Sequence, residues 1–312
     1  MELGIVGMGK MGGGLALQAF EKGIKVVGLT RSPLESKGLA AIHEYREFTQ
    51  QLSKPRKIIL YVPAGAVVDQ VLDALCQCLE PGNIVMDGGN SYYRDSVNRY
   101  ERLKQRGIQF LDVGSSGGPI GARTGACFMI CGDNETVSQV LPILKQLAVP
   151  EGVLHVVAAG AGHFVKLVHN GIEFGMLQAI GEDVALLNDA DYSLDMATLF
   201  HNWAHGSVIR GWLVELMEKA LLESPMRDDV NPYIEDTGEV NWLVSEAVCR
   251  EIPIPVITQA VWELMQSRDQ RKDAHRAVAA LRHQFGEHPF GPSQAIRKER
   301  REGRLTAIAC RS

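Results

Sequence analysis

Along the first half of the chain, short apolar runs alternate with stretches whose apolar residues recur every three to four positions. The runs read "LGIVG", "KVVGLT", "KIILYV", "NIVMDGG" and "QFLDVG", and between them stand helical patterns such as "LALQAFEKG" and "VVDQVLDALCQCL". That rhythm predicts repeated βαβ units around a parallel sheet. Beyond "GAGHF" the pattern changes to long helix-compatible stretches, with prolines gathered at breaks such as "IPIPVITQAVWELM". The parse is an α/β domain over residues 1–160 followed by an all-α domain over 161–312.

The first run leads into "VGMGKMG", where Gly7, Gly9 and Gly12 fit G-x-G-x-x-G between the strand "LGIV" and the amphipathic stretch "GLALQAFEKG". Each glycine has a physical task there. Gly7 makes the tight turn, Gly9 lets backbone N–H groups approach a pyrophosphate, and Gly12 allows close helix packing. A purely structural turn is the competing reading. Dinucleotide binding makes the first domain Rossmann-type. Its second strand, "KVVGL", ends in Thr30, Arg31 and Ser32, and no acid follows until Glu35. A guanidinium and two hydroxyls suit a 2′-phosphate, where a carboxylate would repel it, so NADP is expected, with NAD as the alternative. A solvent-exposed turn arginine is the bland reading of Arg31.

Composition narrows the partners. A chain of 312 residues, 46% hydrophobic and 22% charged, can bury a sizeable core. The net charge of −5 offers no basic stripe for a nucleic acid, and "IRKERREGR" reads as a solvated run. The six cysteines, at 76, 78, 127, 131, 249 and 310, have neither disulfide-framework nor zinc-ligand spacing, and read as reduced thiols. No signal-peptide pattern and no apolar run of membrane-spanning length is present, so a cytoplasmic protein without a membrane partner is expected.

One helical stretch breaks its own apolar pattern. In "GAGHFVKLVHNGIEFGMLQAIGEDVALL", Lys166, His169, Asn170 and Glu173 fall on one stripe at i, i+3, i+4 and i+7, and Leu177 and Ile180 continue it as apolar residues. An ion pair or a water-facing stripe would account for two charges. Four converging hydrogen-bonding side chains after a glycine-rich entry point instead to a site, in which a desolvated lysine can act as a base.

Three stretches together resemble 6-phosphogluconate dehydrogenase, within the wider β-hydroxyacid dehydrogenases. They are "MDGGNSYYRDS" at 86–96, "DVGSSGGPIGARTG" at 112–125 and "GAGHFVKLVHNGIEFGMLQ" at 160–178, the last being the specific one. The likeness covers most of the chain, at the length of the family's short form. It implies oxidative decarboxylation of 6-phosphogluconate to ribulose 5-phosphate and carbon dioxide. Lys166 matches the family's acid/base lysine, and Glu173 the acid that protonates C1 of the enediol. Asn90, Ser116, Gly117, Gly118, His169 and Asn170 match substrate contacts, and Met11, Val62 and Asn90 join the glycines and Thr30, Arg31 and Ser32 as cofactor contacts. The keto group is the electron sink, so no metal is implied. The tail "LRHQFGEH" resembles R-x-x-F-G-x-H, which places Arg282 and His288 on substrate phosphate and hydroxyl, in the partner subunit's cleft. A homodimer or dimer of dimers follows, with the second domain binding substrate and dimerising.

Three positions depart from the family pattern. Glu235, in "EDTGEVNW", stands where a phosphate-gripping lysine would be, although Thr237 is kept. Leu264 replaces an arginine, and Phe174 replaces a phosphate-binding tyrosine. Arg268 and Arg282 are the candidate substitutes for the lost cations. Two other functions fit part of the pattern: a β-hydroxyacid dehydrogenase acting on an unphosphorylated acid, and a non-catalytic NADP-binding regulator. The "HNGIE" continuation and the tail favour the sugar acid over the first. Against the second, a regulator needs no acid/base pair.

Overall fold

The computed structural model describes residues 1–30, 39–224 and 230–299. An eight-stranded sheet is formed by β1 (Glu2–Val6), β2 (Lys25–Leu29), β3 (Ala40–Ile42), β4 (Lys57–Leu60), β5 (Ile84–Asp87), β6 (Gln109–Ser116), β7 (Ala126–Cys131) and β8 (Ala148–Val156). Its order is β3-β2-β1-β4-β5-β6-β7-β8. The helices interleaved with it are α1 (Lys10–Glu21), α2 (Phe48–Gln51), α3 (Ala66–Cys76), α4 (Tyr93–Lys104), α5 (Gly118–Thr124) and α6 (Asn134–Leu147). After the sheet the chain is helical, with α7 (Ala161–Asn188), α8 (Met196–Ala204), α9 (Trp212–Glu223) and α10 (Glu239–Cys249), then α11 (Pro255–Arg268), α12 (Asp273–Gly286) and α13 (Gln294–Glu299).

The strands read as unbroken apolar runs because both faces of the sheet are buried. On β1, Leu3 and Ile5 join a core layer with α1 and α6, while Val6 joins the opposite layer with Val68, Val71 and Leu72 of α3. On β4, Ile59 faces the first layer and Ile58 and Leu60 the second. The parallel sheet expected from the sequence is found in every strand pair but one: β6 and β7 run antiparallel. Only α5 and its flanking turns connect them, and a parallel return needs a crossover of about a dozen residues or more. Three further strands, β3, β7 and β8, lie outside the apolar runs quoted above, although β7, "ACFMIC", is itself an apolar run.

By packing, the chain forms two compact units. The first spans Met1–Asp229 and Asp236–Val261, and so includes α7 to α10 with the sheet; the second spans Val230–Glu235 and Trp262–Ser312. Among the described residues no helix is long and apolar enough to cross a membrane.

Candidate active site

The sheet order reverses at β1, whose neighbours β2 and β4 leave a crevice at the strand ends, the usual ligand position in such sheets. The glycine turn lies there. Gly7 has φ +93°, and a Cβ on it would collide with the carbonyl oxygen of Tyr61, just past β4. A Cβ on Gly12 would strike the carbonyl oxygen of Gly7. Gly9 differs: its φ of −75° suits any residue, and a Cβ there would meet nothing within 4 Å. Protein packing therefore accounts for Gly7 and Gly12, and leaves open space in front of Gly9. Gly9 is also the N-cap of α1, with no side-chain cap and no acid in the first turn, so the first N–H groups are available to an anion. That is the cradle a dinucleotide pyrophosphate needs. Thr30, at the end of β2, donates its N–H to the Ile42 carbonyl at 3.1 Å. Arg31 and Ser32 lie outside the described residues.

The next strand ends are shaped for the same crevice. After β5, the buried carboxylate of Asp87 accepts from Ser91 Oγ at 2.7 Å and from the Gly89 N–H at 3.2 Å, with Arg99 Nη1 at 3.5 Å. This holds the short loop that carries Asn90. A Cβ on Gly88 would lie 2.8 Å from the Tyr61 ring, so the glycine makes room for that tyrosine. Tyr61 in turn bonds Ser115 through its hydroxyl at 3.0 Å, and burial pushes its pKa up to about 12.

Helix α7 is fixed to the sheet by one carboxylate. Asp112, buried on β6, accepts from the N–H of Gly160 at 2.8 Å and of His163 at 2.9 Å, capping the helix from another element. Two glycines let the helix sit close. A Cβ on Gly162 would be 2.5 Å from the Met129 carbonyl oxygen, and one on Gly114 would be 2.6 Å from Lys166 Cβ.

So seated, α7 presents the predicted stripe. Lys166 is 7% exposed, and its ammonium donates to Asn170 Oδ1 and lies 3.4 Å from His169 Nδ1. Burial pushes the Lys166 pKa below the ordinary lysine range, while the charges of Glu173 and Glu239 act in the opposite direction. His169 also meets Ser116 Oγ through Nε2 at 3.1 Å, and its Nδ1 is 3.9 Å from Glu173 Oε2. Strand end and helix stripe are thereby joined.

A cleft of about 1150 Å³ runs between these elements. Met11, Val62, Asn90, Ser116, Gly117 and Gly118 line it from the sheet side, and Lys166, His169, Asn170 and Glu173 from α7. Gly7, Gly9, Gly12 and Thr30 are not among its lining residues and belong to the turn and strand end beside it. The sequence reading missed Tyr61, Trp212, Glu239 and Trp242, which also line the cleft. Tyr61 could have been found from its place directly after a parallel strand. Glu239 and Trp242 reach the cleft on α10, and no local spacing signals that.

Arg268, Arg282 and His288 belong to the second compact unit. Arg268 Nη1 is 3.6 Å from Glu235 Oε1, so the candidate replacement cation faces the very acid that replaced the family lysine. Arg282 Nη2 is 3.3 Å from His288 Nε2, and both line a cavity of about 410 Å³.

A phosphate-cradling turn at the reversal of a parallel sheet, beside a helix that buries a lysine in a cleft, defines a nicotinamide-dinucleotide-dependent dehydrogenase. The family model for the NAD binding domain of 6-phosphogluconate dehydrogenase matches residues 2–160, and that for the enzyme's C-terminal domain matches residues 162–304. The chain belongs to the 6-phosphogluconate dehydrogenase family. A Bacillus subtilis protein provisionally named as a 6-phosphogluconate dehydrogenase is 37% identical over 92% of this chain and 98% of its own length. The NAD(+)-dependent, decarboxylating 6-phosphogluconate dehydrogenase of Haloferax volcanii is 35% identical, with the same two shares covered. Among solved structures, Plasmodium falciparum 6-phosphogluconate dehydrogenase, determined in apo form and in complexes with NADP+ and with 6-phosphogluconate, superposes with a TM-score of 0.79 at 26% identity, covering 96% of this chain and 68% of that one.

Proposed function

We propose that the chain catalyses the oxidative decarboxylation of 6-phosphogluconate to ribulose 5-phosphate and carbon dioxide, with NADP as oxidant and NAD as the alternative. Lys166 carries the reading: a lysine 7% exposed, held by Asn170 in a cleft shared with the glycine-turn residue Met11. Residues 1–160 serve the nucleotide and residues 161–312 the substrate and dimerisation. Gly7, Gly9, Gly12 and the first-turn N–H groups of α1 hold the pyrophosphate, with Met11, Val62 and Asn90 as further contacts. Bound NADP supplies the hydride acceptor.

Neutral Lys166 takes the C3 hydroxyl proton as C3 gives up its hydride, leaving a β-keto acid. The C1–C2 bond then breaks, and its electron pair moves toward the ketone. Protonated Lys166 returns its proton to that oxygen, giving the enediol. Glu173 protonates the carbon that lost carbon dioxide, which becomes C1 of the product. Asn90, Ser116, Gly117, Gly118, His169 and Asn170 hold the sugar acid, and the Ser116–His169 bond supports their acting together. Arg282 and His288 supply the phosphate and hydroxyl contacts of the partner's cleft in a homodimer or dimer of dimers.

The test is reduction of each cofactor, followed by absorbance, with 6-phosphogluconate as substrate. Turnover is expected, faster with NADP; its absence with both cofactors overturns the activity. Arg31→Asp is expected to weaken NADP binding and spare NAD. Equal loss with both, or a wild type that prefers NAD, overturns the cofactor choice.

A further inference from the structure

The cleft's charges are at odds with a phosphorylated substrate. Among the described residues that line it, Lys166 is the only lysine or arginine, against the carboxylates of Asp95, Glu173 and Glu239. Asp95 is offset by Arg99, 3.9 Å away, and Glu173 shares the Lys166 stripe. Glu239 is different. It opens α10, and its carboxylate accepts from the hydroxyl of Thr237, another lining residue. Among the described residues no lysine or arginine stands within ion-pair distance of it.

We propose that Glu239 is a specificity-determining residue: it accepts a hydrogen bond from a hydroxyl of the sugar-acid chain and repels a phosphate dianion. The cleft then reads the polyol, and the phosphate depends on Arg282 and His288 in the role proposed for them above. The chemistry is direct. A carboxylate is a strong acceptor for a hydroxyl, and like charges in a partly desolvated cleft repel over several ångströms. An acid in the first turn of α10 also favours that helix, but such a role affects all substrates alike. The proposal rests on the sugar-acid dehydrogenase reading above.

Glu239→Gln keeps the side-chain size and an oxygen for the Thr237 hydroxyl, while removing the charge. Wild type, Glu239→Gln, Glu239→Lys and the charge-retaining Glu239→Asp are assayed with 6-phosphogluconate and with gluconate at saturating NADP. The readout is the ratio of kcat/KM for the two acids. Glu239→Gln is expected to shift it toward 6-phosphogluconate by roughly tenfold at low salt, mainly through KM, and Glu239→Lys further. Added salt should shrink the shift, and Glu239→Asp should keep the wild-type ratio. An unmoved ratio, or a parallel loss on both acids, overturns the proposal alone. Absence of wild-type turnover with either acid overturns the reading beneath it, and the proposal with it.

Discussion

Lys166 sits where keeping a lysine charged is costly, and that cost is what suits it to exchange a proton. Burial lowers its pKa, so the neutral base is populated at a lower pH than for an exposed lysine. Activity limited by that base rises with pH and levels off below the ordinary lysine range. In the kcat/KM profile the rising limb is therefore expected below pH ~10.4. Replacing the base by an apolar side chain of similar length, Lys166→Met, should lower turnover by roughly 10² or more with NADP affinity unchanged in a binding titration. Wild-type turnover in that variant would contradict the mechanism. This residue was legible in the sequence because helical periodicity alone gathers Lys166, His169, Asn170 and Glu173. Glu239 was not, since 73 positions separate it from Lys166 and only the packing of the first unit brings both to one cleft.

At the scale of elements, the seat of α7 is set by atoms that cannot move aside. A methyl group on Gly162 would lie 2.5 Å from the Met129 carbonyl oxygen and 2.8 Å from that of Asp112, both sheet backbone. Gly162→Ala should therefore lift the helix, costing about 1–3 kcal/mol, and displace Lys166 with it. A lower Tm together with lost activity is the expected result. Gly181, in the same helix, has nothing within 4 Å of a built Cβ, so Gly181→Ala should instead stabilise by about 0.5–1 kcal/mol. Equal Tm shifts in the two variants would refute this account of the seat. The strands β1, β2, β4, β5 and β6 were readable as apolar runs, and α7 as a long helical pattern; the three-residue β3 was not. The far edge was less so. β8 contains Pro150 and Gly152, with Glu151 at φ +60°, breaker signals that mask a strand, and the direction of β7 follows from connection length, which apolar patterning does not encode.

For the molecule as a whole, the resemblance of the tail implies that two chains build each site. Lys166→Ala and His288→Ala, each inactive alone, are co-refolded to form mixed dimers. With shared sites one site carries both lesions and the other neither, so activity returns toward that of a single site. Continued inactivity, in a sample shown to contain mixed dimers, would rule the arrangement out. Sequence likeness made the tail recognisable, whereas the division into packing units was invisible to it, because α7 to α10 read as part of the helical half yet pack with the sheet. That discontinuous unit has a consequence for a chain still being made or cut short. The nucleotide turn is complete once Tyr61 is in place, but the cleft draws on residues from Met11 to Trp242. A fragment ending before α10 contains the residues of the turn and the lysine but lacks the part of the cleft lining that α10 supplies. Premature termination or proteolytic nicking before α10 is thus expected to leave the cleft unfinished, without Glu239 and Trp242.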